Sequence, residues 1–309
     1  MFAMTVKQAG RMEGEFVLSP GMHAIVGLSG AGKTTLFRLI AGLERHVSLA
    51  ILWNERSIDM VQPHERPVAY VPQRPSLVPH RTIGDQVQWI AKGPVTNWRQ
   101  WIQWLSLGKL LNRYPHQLSG GEQQRAALLR ALVAEKPILL LDEALSQIDR
   151  PHRLSLYRKL QDTLRPEQLL LFSTHQWEDA EQFAEHVVFL KQGRIASSSH
   201  VTQTVPVDSE MAFMMGYVGS VPVSDGHLLI HPRTIFAGQN RELPVHIAGE
   251  GHQHPISATL SRYHFRSTDG GLLLEWIGNP ATTPEHFHEI SISNPVQVPF
   301  ALPNTQGGE

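Results

Sequence analysis

The octapeptide Gly27-Leu28-Ser29-Gly30-Ala31-Gly32-Lys33-Thr34 constrains this chain more than any other stretch. It has the form G-x-x-x-x-G-K-[ST], a loop whose backbone N–H groups close around phosphate. Ala24-Ile25-Val26 before it reads as a short buried strand. Residues 35–41 after it read as a helix with one apolar face, stopped by Gly42. A strand, a glycine-rich turn and a helix in that order predict an α/β P-loop fold. The glycines let the backbone approach an anion, and the helix start adds partial positive charge. Lys33 is placed to reach the β- and γ-phosphates of a nucleotide. Thr34 would ligate Mg²⁺, and Thr35 follows it in the same phosphate-facing turn.

Further strand ends supply polar groups. Residues 2–6 and 15–18 read as two edge strands leading into Pro20-Gly21, and residues 48–53 as another strand. Val68-Ala69-Tyr70-Val71 reads as a strand followed by Gln73, an amide able to reach Mg²⁺ or water at the phosphate site. Ile138-Leu139-Leu140-Leu141 is apolar throughout, as a parallel strand covered on both faces requires, and it ends in Asp142 and Glu143. Asp142 can hold Mg²⁺ through water, and Glu143 can polarise an attacking water. Residues 169–173 repeat the pattern and end at Thr174-His175, which places His175 at the same sheet edge. Val187 to Leu190 reads as the final strand.

Between these strands, residues 82–111 are helical in pattern and carry Trp89, Trp98, Trp101 and Trp104. Trp98, Trp101, Ile102 and Leu105 fall on one face, as the core of a small helical subdomain would. Leu118-Ser119-Gly120-Gly121-Glu122 follows. Ser119 and Glu122 form a capping box before a helical run, and Gly120 and Gly121 leave N–H groups open to an anion. With no lysine nearby, this second phosphate-facing helix start serves a nucleotide held by another copy.

Composition narrows the function classes. Of 309 residues, 27 are basic and 28 acidic, a formal net charge of −1, which weighs against a general nucleic-acid binder. There are no cysteines, so disulfides and thiolate metal sites are excluded, in keeping with a reducing cytoplasm. Residues 1–14 lack the basic-then-apolar pattern of a signal peptide, and no apolar run approaches the ~20 residues that span a bilayer. A membrane role is therefore peripheral, through a partner.

The order of these motifs resembles one family, the ATP-binding cassette (ABC) ATPases, over about residues 1–195. The 118–122 stretch matches that family's signature. The resemblance implies ATP and Mg²⁺ as ligands, with Gly27, Ser29, Gly30, Ala31, Gly32, Lys33, Thr34 and Thr35 around the phosphates. Thr34, Gln73 and Asp142 serve the metal, and Glu143, His175 and Gln73 serve hydrolysis. Ser119, Gly120 and Gly121 face the nucleotide of the opposite subunit, and Asp149 is the D-loop aspartate. Ala144 stands where the family commonly has proline. Phe2 and Phe16 are the candidates for its adenine-stacking aromatic, on either side of the polar segment 7–11. Two cassettes are expected to close head to tail on two ATPs.

The expected organisation is an α/β P-loop NTPase cassette at 1–200, with a helical subdomain at about 74–135, then a linker at 201–220. A small all-β, OB-like barrel at 221–309 would be regulatory. Residues 197–208 are polar and read as linker, and residues 211–217 as a short helix. From about Val221 short strands alternate with Gly, Pro, Asn and Asp. Leu229-Ile230-His231-Pro232-Arg233 resembles the opening of the TOBE-type β domain of importer ATPases. Leu77-Val78-Pro79-His80 and Ser29-Gly30-Ala31-Gly32 look most like molybdate-importer ATPases; iron, sulfate, polyamine and sugar importers stay open. The reading implies a homodimer of cassettes on integral membrane permease subunits, with a solute-binding protein as indirect partner and no nucleic acid. It places the chain at the cytoplasmic face of the inner membrane. The contrasting readings are a soluble ABC protein of translation or DNA repair, an exporter's ATPase and a degenerate cassette. Of 17 histidines, His252/His254 and His286/His288 form H-x-H pairs, which put two rings on one strand face. Spacing alone supplies no third ligand, and solvated surface histidines are the plainer alternative.

Overall fold

The computed structural model describes residues 1–8, 12–44, 48–91, 98–217, 219–223, 226–231, 235–237, 245–255, 261–267, 273–278, 286–292 and 296–299. Of the stretches singled out above, residues 9–11, 232–233, 256–260 and 272 lie outside them. The chain divides into two compact units, Met1–Thr204 and Val205–Glu309.

In the first unit the described strands form one mixed sheet. In chain order they are β1 (Phe2–Gln8), β2 (Met12–Leu18), β3 (Gly21–Val26), β4 (Leu49–Trp53), β5 (Arg56–Ser57), β6 (Val68–Val71), β7 (Ile138–Asp142), β8 (Leu169–Thr174), β9 (His186–Lys191) and β10 (Arg194–His200). Their spatial order is β5-β4-β1-β2-β10-β9-β3-β8-β7-β6. The segment β3-β8-β7-β6 is parallel, with Val26 level with Thr174, Asp142 with Ser173 and Val71 with Leu141. Every residue of β7 and β8 is buried, which is why both read as unbroken apolar runs.

The structure corrects three expectations here. β1 and β2 are interior strands, because β1 also pairs with β4 and β2 also pairs with β10. β9 is not the last strand. Residues 197–200, expected as the start of a linker, belong to β10, an antiparallel partner of β9 across the Gln192-Gly193 turn, where both residues have positive φ. Such a turn matches the twist of a two-residue hairpin. The helical pattern at 82–111 is broken into α2 (Ile83–Ile90) and α3 (Arg99–Trp104), joined by a segment that includes residues outside the described set. Trp98 and Leu105 are buried as the facing pattern requires, while Trp89 is exposed.

The helix after the P-loop, α1 (Lys33–Ala41), buries Leu36, Phe37, Leu39 and Ile40 against this sheet and ends at Gly42. Its C-terminal carbonyls are tied down by Arg66, beside the Gly42 N–H that also donates to Leu39 O at 3.1 Å. That side chain is 3% exposed and donates to Leu39 O at 2.9 Å, Ile40 O at 2.8 Å and Val61 O at 3.0 Å. Arg66→Leu takes the side-chain donor from Ile40 O and Val61 O and leaves Leu39 O with only the Gly42 N–H, at about 1–3 kcal/mol for each buried acceptor left unpaired. The expected result is a loss of about 3 kcal/mol, read as a lower urea midpoint with an unchanged slope.

The remaining helices of this unit are α4 (Gly120–Val133), α5 (Arg150–Thr163) and α6 (Trp177–Phe183). The second unit begins with α7 (Ser209–Met214), inside the stretch expected as linker. Its described strands form two sheets. One is three-stranded, β11 (Gly219–Val223), β12 (Gly226–Ile230) and β18 (Val296–Val298), in the order β11-β12-β18. The other contains β13 (Ile235–Ala237), β14 (Val245–Pro255), β15 (Ser261–Ser267), β16 (Leu273–Gly278) and β17 (His286–Ile292), in the order β13-β17-β14-β15-β16.

Candidate functional site

Four adjacent parallel strands deliver the sequence-derived residues to one sheet edge. The P-loop follows β3, His175 follows β8, Glu143 follows β7 and Gln73 lies two residues beyond β6. In an open α/β sheet this C-terminal edge is where ligands bind. The loop tip Leu28, Ser29 and Gly30 is exposed, Gly27 and Ala31 are buried, and Thr34 is exposed in the first turn of α1 with Thr35 half-buried behind it.

Two glycines are fixed by the backbone. A Cβ at Gly27 would sit 2.3 Å from the Leu190 carbonyl of β9. Gly32 caps α1 at φ 105°, a left-handed conformation that L side chains rarely adopt. No side chain caps this helix, so its first N–H groups stay available to an anion. The β9–β10 turn braces the loop, as Gly193 N–H donates to Ala31 O at 2.8 Å.

Glu143 is the hub. Its Oε1 lies 3.2 Å from Lys33 Nζ and 3.9 Å from His175 Nδ1, and its Oε2 accepts from Gln73 Nε2 at 3.0 Å. Lys33 also donates to Gly27 O at 2.8 Å and Leu28 O at 3.1 Å, so the buried ammonium is held within its own loop. Glu143 has φ 46°, an uncommon backbone state for a residue with a side chain, and its N–H donates to Ser173 Oγ at 2.9 Å. A cavity of ≈ 20 Å³ beside it is lined by Glu143, Ser173, Thr174, His175 and Gln176, room for about one water.

Asp142 is 1% exposed and its two oxygens are already engaged. Oδ1 accepts from Ser173 Oγ at 2.9 Å and Oδ2 from Tyr70 Oη at 3.0 Å. Burial, then the Asp142 charge, pushes the Tyr70 phenol well up, so it stays a neutral donor. Neither Tyr70 nor Ser173 was singled out from sequence as a site residue. The one available signal was a hydroxyl on an otherwise apolar strand. Tyr70→Phe removes one donor to a buried carboxylate, worth about 1.5–3 kcal/mol. The expected result is a melting temperature lowered by several degrees, with ATP turnover reduced less than tenfold in a phosphate-release assay.

The signature stretch is apart from this hub. Ser119 caps α4: its Oγ donates to Glu122 Oε2 at 2.9 Å, and its N–H donates to the same oxygen at 2.8 Å. These donors hold the Glu122 carboxyl below its usual range. Gly120 and Gly121 lie beside Gln147, where added Cβ atoms would stand 3.1 Å from its Oε1 and 3.9 Å from its carbonyl O respectively. Asp149 caps α5 and pairs with His152 Nδ1 at 2.8 Å, which lowers its carboxyl in turn. Among the described residues no hydrogen bond or ion pair joins Ser119, Gly120, Gly121 or Asp149 to the P-loop or to Glu143.

The family model for ABC transporters matches residues 15–146. The sulfate/thiosulfate import ATP-binding protein CysA of Mycobacterium tuberculosis (strain ATCC 25618 / H37Rv) is 32% identical over 263 residues, covering 79% of this chain and 74% of that protein. This chain belongs to the ABC transporter family. The sn-glycerol-3-phosphate import ATP-binding protein UgpC of Bordetella avium (strain 197N) is 35% identical over 226 residues, 69% of this chain and 59% of the relative. The molybdenum import ATP-binding protein ModC of Methylococcus capsulatus is 37% identical over 198 residues, 60% of this chain and 54% of the relative. The chain thus spans little more than half the length of these two.

Solved structures share the ABC cassette fold. An ATP-binding subunit of an ABC transporter superposes at TM-score 0.58 with 23% identity, over 64% of this chain and 89% of that one. A dimeric ATP-binding cassette bound to ADP and phosphate gives TM-score 0.55 with 22% identity, over 65% of this chain and 99% of the other. Against the expectation for an ABC cassette, neither Phe2 nor Phe16 is free to stack on adenine. They are 0% and 3% exposed, with ring centroids 5.9 Å apart in the core between β1 and β2. Among the described residues no helix is long and apolar enough to cross a membrane.

Proposed function

We propose that this chain is the ATP-hydrolysing subunit of an importer. It would couple ATP binding and hydrolysis to solute uptake through partner membrane subunits. The observation that carries the reading is the convergence of Lys33, Gln73 and His175 on Glu143, at the end of four parallel strands and beside an uncapped helix start. The phosphates of ATP lie along the backbone N–H groups of residues 27–35, and Lys33 exchanges Glu143 for phosphate oxygens. That exchange frees the Glu143 carboxylate to take a proton from water in line with the γ-phosphate, with His175 fixing the terminal phosphate. The donor set suits Mg²⁺: the Thr34 hydroxyl, the Gln73 amide oxygen and, through water, Asp142, whose oxygens are oriented by Tyr70 and Ser173. When bound, Mg²⁺ neutralises phosphate charge.

The separation of Ser119–Gly121 and Asp149 from the hub within one chain favours a head-to-tail homodimer, each signature stretch completing the partner's site. The named relatives import glycerol phosphate, molybdenum and sulfate or thiosulfate. Together they favour an oxyanion such as molybdate as the solute, ahead of iron, sugar or polyamine. The second unit serves as an OB-like, TOBE-type regulatory domain. The chain sits peripherally on the cytoplasmic face of the cell membrane, bound to permease subunits and served by a solute-binding protein.

Phosphate release from Mg-ATP by the purified chain tests the reading. Turnover per chain is expected to rise with protein concentration, as pairing requires. No turnover at any concentration, with ATP bound, would instead mark a degenerate cassette.

A further inference from the structure

His175 is the member of the hub with the least holding it. Its ring is half exposed, stands 3.9 Å from Glu143 Oε1 and, among the described residues, makes no hydrogen bond. Lys33 and Gln73 each approach Glu143 more closely, at 3.2 and 3.0 Å. What fixes the place of the ring is therefore the backbone of residues 174–176. Gln176 N–H donates to Thr174 Oγ1 at 3.0 Å, which closes that turn on itself. The Gln176 side chain leads away from the hub, where its Oε1 accepts from a terminal nitrogen of Arg153. Arg153 is 7% exposed, and its Nε stands 3.0 Å from Oδ2 of Asp179, which is buried as well. One guanidinium thus joins the start of α5, the residue after His175 and the first turn of α6.

We propose, on the reading of the hub as a hydrolytic site, that Arg153 is a positioning residue for ATP hydrolysis. It holds the turn at 174–176, and through that turn the His175 ring, where the ring meets the terminal phosphate. The guanidinium suits the task. Its donors form a rigid planar fork, so it meets a carboxylate and an amide oxygen at once and in one geometry. Tyr157, one turn along α5, packs its ring on Phe172 of β8 and Phe183 of α6, with centroids 4.9 and 5.1 Å away. That packing keeps the helix face that carries Arg153 from rolling. As a fastener between two helices alone, a buried ion pair has no advantage over apolar side chains of the same volume. Burial raises the Asp179 carboxyl even against the pull of Arg153, so desolvation outweighs the pairing there. What the pair supplies is direction. The cavity of ≈ 20 Å³ at Glu143 is lined by Arg153 and Asp179 as well as by His175 and Gln176.

The test uses the full chain, with kcat from phosphate release, ATP affinity from filter binding and a melting curve for each variant. Arg153→Lys keeps a charge against Asp179 and loses the fork to Gln176. Gln176→Leu removes the acceptor and leaves the ion pair intact, so it decides if Arg153→Lys fails to fold. Each is expected to lower kcat about tenfold and to change ATP affinity less than about twofold. Added to His175→Ala, either is expected to cost less than about twofold more, because both act through the same ring. Undiminished kcat, full multiplication with His175→Ala, or a matching loss of ATP affinity overturns the proposal. The imidazole NMR signal of His175, identified by its loss in His175→Ala, gives a readout free of turnover. In the nucleotide-free chain it is expected to shift or broaden in Gln176→Leu, and an unmoved signal overturns the proposal. A signal that responds in a chain without ATP turnover would count against the hydrolysis reading, and leave Arg153 as the residue that orients His175.

Discussion

Glu143→Gln is expected to lower steady-state ATP hydrolysis by about 10²–10⁴-fold, the usual contribution of a positioned general base, and to leave ATP bound. The substitution keeps the shape and the hydrogen bond from Gln73 while removing the charge. Lys33 stays in place because Gly27 O and Leu28 O still accept from it at 2.8 and 3.1 Å. With the 3.2 Å ion pair to Glu143 gone, phosphate oxygens meet less competition for the ammonium. ATP affinity should therefore be equal to or higher than that of the unaltered chain, and the ATP-bound dimer should persist. Phosphate release and filter binding on one preparation separate the two effects. Undiminished turnover would remove Glu143 from the chemistry.

The second large effect is on binding. Lys33→Ala removes the cation from a loop in which it is 5% exposed, leaving the largely buried Glu143 without its counter-charge and Gly27 O without its side-chain donor, while Leu28 O keeps the Ala31 N–H. Taking one partner from a buried ion pair costs about 3–5 kcal/mol. Part of that falls on stability, and the nucleotide loses its main point charge as well. ATP affinity is expected to fall about 100-fold, equivalent to about 2.7 kcal/mol. Lys33→Arg should not restore it, because a planar guanidinium cannot take the compact ammonium's place among Gly27 O, Leu28 O and Glu143. A melting curve shows whether the variant is folded. A folded Lys33→Ala chain with unchanged affinity would contradict the assignment of the loop.

The hub was legible in the sequence because each part ends an apolar run that only a covered parallel strand explains. β7 and β8 have no polar residue before Asp142 and Ser173, so the polar residues that follow had to emerge at the sheet edge. What sequence alone left open depends on pairing partners far along the chain. The Ser-Ser-Ser-His end of β10 looks like linker by composition, and the antiparallel hairpin with β9 gives it regular structure. Phe2 and Phe16 looked available for adenine when taken singly. The alternation Phe2, Met4, Val6 on β1 and Met12, Phe16, Leu18 on β2 marks all six as one buried face. Tyr70 was passed over because its role rests on a hydroxyl meeting Asp142, a residue 72 positions away.

Mass spectrometry of what co-purifies with the chain from gently solubilised membranes tests the importer assignment most directly. A stoichiometric multi-span permease, with the chain in the membrane fraction, is the expected result. Its substrate class would also test the oxyanion preference. A set of purely soluble partners, with the chain absent from membranes, would contradict the transport reading and leave an ABC ATPase of another purpose.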